Sequence, residues 1–169
     1  MALPVAAWVR KSVTMQDDWK HDRIGSAERG ENPMVMARMK SGFAVIGDTQ
    51  FLPGYCVLLA SPQVVSLNDL SMEQRAQFLL DMSRIGDALA EACKPVRINY
   101  GITGNNHLYL LAHIFPRYAD EHREYFTQSP FNYPREKWYA PQYHYSDEKH
   151  GALRARITEL LKASLLEEG

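Results

Sequence analysis

The chain has 169 residues, 46% of them hydrophobic and 23% charged, with a formal net charge of −1. That length suits one domain, residues 1–169, with a core of its own, and the composition is that of a soluble globular chain. A balanced charge argues against bulk nucleic-acid binding, which normally leaves a basic excess. No apolar run approaches the roughly 18 residues of a membrane span. Residues 1–9 are apolar but lack the basic leading region of a signal peptide. A cytoplasmic protein is therefore expected. Cys56 and Cys93 have no zinc spacing and read as reduced thiols.

The predicted elements follow in chain order. Residues 15–29 are charged and predict a short helix ending at Gly30. Residues 34–40 and 43–48 predict two strands around a turn at Ser41-Gly42. Residues 55–60 predict a third strand, apolar throughout and therefore central. Ser71 opens a helix, with Gln74 completing a capping box. Phe78, Met82, Ile85, Leu89 and Ala92 recur on one side of that helix, with Leu79 beside them. It should end near Cys93, before Pro95. Residues 96–100 and 108–115 predict the fourth and fifth strands, and Pro116 should end the fifth for lack of an N–H.

Beyond Tyr118 the character changes. Residues 125–145 hold 8 of the 18 aromatics, together with Pro130, Pro134 and Pro141. That is too aromatic for disorder and too rich in proline for a long helix or central strand. An ordered irregular arm over the domain is expected. Asp147 should then cap a final helix with Leu153, Ile157, Leu160, Leu161 and Leu165 on its apolar side.

The most informative stretch is residues 99–118, a polar glycine-punctuated turn running into an alternating pattern. By strand parity Asn105, His107, Tyr109, Leu111, His113 and Phe115 share one face. Leu108, Leu110, Ala112 and Ile114 take the other, which belongs on a core. The first face, with two histidines, a tyrosine and an amide, suits a ligand. His107 and His113 would stand about 20 Å apart along an extended strand, too far to share a metal ion. Neither a metal nor a cofactor is expected.

His113-Ile114-Phe115-Pro116-Arg117-Tyr118, with the preceding Gly104-Asn105, resembles the histidine triad family of nucleotide hydrolases and transferases. Its hallmark is a strand with His at three alternate positions before Ile-Phe-Pro-Arg-Tyr. Here those positions fall at Tyr109, Leu111 and His113, and the family's nucleophile position is Leu111. A leucine cannot form a phosphoramidate. Residues 48–59, with Asp48 before a Pro53-Gly54 turn, are similar to the family's hairpin, although Tyr55 stands where the family usually has His. The resemblance covers roughly residues 37–118.

It implies an α+β fold: a mainly antiparallel five-stranded sheet with a principal helix, a core at about 34–118, and the arm and final helix at 119–169. It also implies a homodimer and a shallow nucleotide groove on the polar sheet face. Asp48 would take the ribose hydroxyls, since a carboxylate can accept two at once. Asn99, Asn105 and His113 would lie near the phosphates, with His107 and Tyr109 as further candidates. Arg117 suits either a phosphate or an exposed salt bridge. Trp138 and Tyr139 suit either a nucleobase or packing. The expected function is binding of a nucleotide or related phosphorylated small molecule without covalent histidine catalysis. The alternative is a repurposed hydrolase, transferase or biosynthetic enzyme acting on a nucleotide-type phosphate ester or anhydride.

Overall fold

The computed structural model describes residues 15–167, so the apolar stretch 1–9 lies outside the described residues. A five-stranded antiparallel sheet is built from β1 (Val35–Met39), β2 (Gly42–Ile46), β3 (Cys56–Ala60), β4 (Arg97–Gly101) and β5 (Leu111–Arg117). Their spatial order is β1-β2-β3-β5-β4, which puts apolar β3 in the centre as its composition predicts. The expected helix at 15–29 is split into a 3-10 stretch, Met15–His21, and α1, Arg23–Glu28. The break falls at Asp22, whose side chain accepts the Gly25 N–H at 3.0 Å and starts a new helix.

The principal helix, α2 (Met72–Cys93), begins with the predicted Ser71/Gln74 capping box and ends at Lys94 in the left-handed conformation. Phe78, Ile85 and Leu89 are fully buried, and Met82 and Ala92 pack on the core edge. The final helix, α5 (Asp147–Leu166), buries Ile157 and Leu161 and packs beside α2 and β1. Its cap is Ser146, which accepts the Lys149 N–H, and not Asp147, which occupies the first helical turn. Arg154 of α5 donates to the Pro33 and Val35 carbonyls at 2.6 and 3.0 Å. That covers acceptors on edge strand β1, which would otherwise invite pairing with another chain.

The fifth strand differs from its expected span. Residues 102–110 form no strand: Gly104, at φ +71°, turns the chain and His107 donates its N–H to the Gly104 carbonyl at 2.9 Å. Leu108, expected on the core side, is 81% exposed on this loop. β5 then runs through Pro116 to Arg117. The Arg117 carbonyl accepts from Val96 of the chain entering β4, so the polar groups of neighbouring Pro116 face the opposite side. There the pairing with β3 has already ended at Ile114, and no N–H is needed.

The aromatic arm is ordered, as expected, into short helical turns: α3 (Arg123–Phe126), Pro130–Asn132, α4 (Arg135–Tyr139) and Pro141–Tyr143. It is tied down by backbone bonds from Gln50 N–H to the Tyr143 carbonyl at 2.7 Å and from Tyr145 N–H to the Asp48 carbonyl at 2.8 Å. Among the described residues no helix is long and apolar enough to cross a membrane.

Candidate functional site

Register determines which side chains meet. Leu111, His113 and Phe115 of β5 lie opposite Leu59 and Val57 of β3 and, on the other flank, Gly101 and Asn99 of β4. The far face carries Ala112 and Ile114, both fully buried, so the parity expected within β5 holds. The sheet face that carries His113 is not an open groove. Its Phe115 end is roofed by the arm, where Trp138 meets Phe51 edge-on at 4.9 Å and stacks on Phe131 at 5.6 Å. Phe131 meets the His113 ring edge-on at 5.0 Å. An apolar sheet face flanked by so many aromatics is more stable covered than wet, which is why the arm folds back on its own domain.

His113 is half-buried and its Nδ1 lies 2.7 Å from the Tyr55 hydroxyl. Gly47 makes room for that tyrosine: a methyl group there would overlap the Tyr55 ring. Burial raises the Tyr55 phenol, with the Asp48 charge adding to the effect, so its proton stays on. Burial, and then the charge of His107, lower His113 to about 4. The imidazole is therefore neutral at physiological pH. No described residue bonds to its Nε2, yet no buried polar side-chain atom among the described residues lacks a partner. Nε2 must therefore be reachable from solvent.

The extended-strand spacing expected between His107 and His113 does not apply, because residues 102–110 form no strand. Because 102–110 loops back, His107 stacks on Tyr109 at 5.1 Å and its charge is felt at His113. Among the described residues, no group of three His, Cys, Asp or Glu side chains could hold a metal ion. Burial, then the Arg23 charge, lower His107. Burial raises Tyr109, which also senses Arg23 and Asp48.

Arg23 is the residue that sequence reasoning missed. It enters from α1 and grips Asp48 through Nη1 at 3.1 Å and Nη2 at 2.6 Å. Burial opposes its charge, but the Asp48 hydrogen bond and charge, with Tyr109 and Tyr55 behind them, raise its pKa on balance. Arg23, Asp48, Tyr55, His107, Tyr109 and His113 thus form one cluster. Nothing in the local pattern at 15–29 announces a partner 25 residues on.

Other expected residues lie elsewhere. Leu111 is 4% exposed in the hydrophobic core, paired with Leu59, and so does not line an open groove. Asn105 stands exposed on the turn, outside the cluster. The Asn99 side-chain Oδ1 accepts from Arg117 at 2.7 Å, beside a cavity of about 690 Å³ bordered by Arg97, Thr127 and Ser129. Arg117 itself is buried and paired with Glu121, which corrects the expectation of an exposed salt bridge. Trp138 packs; Tyr139 is 65% exposed.

The lowered His113 predicts a pH dependence. Above about 6.5 it is neutral folded or unfolded, and its contribution to stability is complete. As pH falls towards 4 the unfolded chain takes the proton first, so stability is lost across that window. The gap between 6.5 and about 4 is worth roughly 3 kcal/mol. The stability advantage of the natural protein over His113→Gln should shrink by about that amount between pH 7 and 4 in urea titrations. A pH-independent difference would contradict the assigned state.

No protein-family model matches the sequence, and no curated protein is similar to it. Among solved structures the chain is similar to a histidine triad protein from Sinorhizobium meliloti (TM-score 0.63, 18% identity, covering 78% of this chain and 93% of that one). A hypothetical histidine triad nucleotide-binding protein from Sulfolobus tokodaii is similar at TM-score 0.62 and 12% identity, covering 83% and 91%. The diadenosine triphosphate hydrolase of Plasmodium falciparum matches at TM-score 0.53 and 16% identity, covering 79% and 77%. The chain has the histidine-triad-like α+β fold.

Proposed function

We propose that this chain binds a nucleotide or related phosphorylated small molecule and has lost the family's covalent histidine chemistry. One observation carries the reading. His113 Nε2, the Tyr109 hydroxyl, Arg23 Nε and the His107 ring have no hydrogen-bond partner among the described residues, while the neighbouring Leu111 is apolar and buried. A cluster with more spare donors than acceptors suits an oxygen-rich anion. The absent nucleophile argues against a phosphoryl or nucleotidyl enzyme intermediate. The Sulfolobus protein described as nucleotide-binding and the Plasmodium hydrolase, both of this fold, support the ligand class.

In a thermal-shift series with adenosine, guanosine and uridine nucleotides, one that binds should stabilise the fold by about 2.7 kcal/mol at 100 times its dissociation constant. Unchanged melting with all of them at millimolar concentration would sink the reading. A homodimer belongs to it: Leu79 and Leu80 on α2, and Tyr100 on the edge strand β4, are exposed large hydrophobic residues that a partner could cover. Light scattering on the same samples should give about twice the 19.3 kDa chain mass; a monomer would remove that part.

The Tyr55–His113 bond favours a second reading, a repurposed enzyme. It orients an uncharged imidazole whose Nε2 can meet a water or a phosphate oxygen. Turnover of nucleotide esters or anhydrides, abolished by His113→Gln, would select it over simple binding.

A further inference from the structure

Resting on that reading, we propose that Arg23 is the anion-binding residue of the site, handed to the ligand's phosphate when the ligand's vicinal diol takes over Asp48. The ligand this selects carries both groups on one small framework, as a nucleoside monophosphate does.

Arg23 occupies both oxygens of Asp48 in the structure. The pair is bidentate but open to solvent: the Asp48 side chain is 49% exposed and that of Arg23 24%. Water competes well with a pair of that exposure. A vicinal diol competes better, because it offers two hydroxyl protons to the same two oxygens. The displaced guanidinium does not leave. α1 holds its backbone, with Asp22 capping the helix and Ile24 and Ala27 buried. Its charge already reaches His107 and Tyr109, so it stays beside their unpaired groups. A planar fork of donors beside neutral imidazole and phenol groups is a phosphate receptor.

The exchange explains why neither half of the ligand suffices. A diol alone would strand the guanidinium, and a phosphate alone would face the Asp48 carboxylate. A ligand bearing both gives each side chain a new partner, the diol for Asp48 and the phosphate for Arg23. Charge also limits the number of phosphates. Arg23 and Asp48 cancel, and burial lowers both His107 and His113, so the exchange releases a single cation, too little to balance the charge of a triphosphate. Monophosphates should be preferred to triphosphates.

Calorimetry would test this with adenosine, adenosine 5′-monophosphate and 2′-deoxyadenosine 5′-monophosphate. In the natural protein the phosphate should tighten binding by about tenfold or more, the yield of a charge-assisted contact. Arg23→Gln should erase most of that increment while keeping the preference for ribose over deoxyribose. Asp48→Asn should do the reverse, losing the sugar preference and keeping the phosphate increment. Arg23→Lys, which retains the charge, should keep part of the increment and so separates lost charge from a disturbed helix. An undiminished phosphate increment in Arg23→Gln overturns the inference and leaves the nucleotide reading standing. No binding of the adenosine, guanosine or uridine members of the thermal-shift series to the natural protein removes that reading, and the inference with it.

Discussion

Arg117→Leu should cost about 3–5 kcal/mol of folding stability, the usual consequence of removing one partner from a buried ion pair. Arg117 and Glu121 side chains are 2% and 5% exposed. Every guanidinium nitrogen is engaged: Nε with Glu121, Nη1 with the Asn99 side chain and the Gln128 carbonyl, Nη2 with Glu121 and the Tyr125 and Phe126 carbonyls. Leucine would strand the Glu121 carboxylate, although the Tyr118 N–H and the Tyr133 hydroxyl still donate to it at 2.6 and 2.7 Å. It would also take the guanidinium donor from the Gln128, Tyr125 and Phe126 carbonyls, of which Tyr125 keeps the Gln128 N–H at 3.1 Å. The loss should fall on the arm first, exposing residues 119–145 to proteolysis before the sheet melts. Urea denaturation of the two proteins measures the total. A deficit under about 1 kcal/mol, the scale of a surface pair, would show that the arm is held by its aromatics and not by this arginine.

The second large effect concerns chemistry at Leu111. The natural protein should form no nucleotidyl adduct with a nucleoside phosphoramidate or a dinucleoside polyphosphate, and any turnover should lie about 10⁴–10⁶ below covalent catalysis. Leu111 offers no lone pair and is packed against Leu59 in the core. Leu111→His with Tyr109→His would restore alternating imidazoles in name only. An imidazole at a position 4% exposed loses its hydration, at a cost of about 1–3 kcal/mol. The double variant should therefore be less stable than the natural protein and recover little activity, since the groups that would orient the new ring are not in place. Intact mass after incubation with substrate decides. An adduct on His113 or His107 of the natural protein would mean that the nucleophile has moved and that covalent chemistry survives.

Local patterns in this chain are strong where one element decides its own fate. The Ser71/Gln74 box starts α2 where expected because capping involves four consecutive residues. The apolar run 55–60 becomes the central strand because burial on both faces needs no partner identity. Ile114 and Ala112 face the core because alternation is a property of any strand. Parity fails from Leu108 backwards because it presumes a strand. Gly104 reverses the chain there, leaving Leu108 in solvent and bringing His107 back towards His113. Pro116 does not end β5, since whether its missing N–H matters depends on which neighbour has already stopped pairing. The burial of Arg117 needs the arm to fold over it, and the pairing of Arg23 with Asp48 needs α1 to cross the site. The sheet, the principal helix and the order of the arm were legible in the chain alone, all read from spacings of a few residues. Only the tertiary structure decided what covers the sheet face and which charge meets Asp48, because those contacts join segments that carry no local signal of one another.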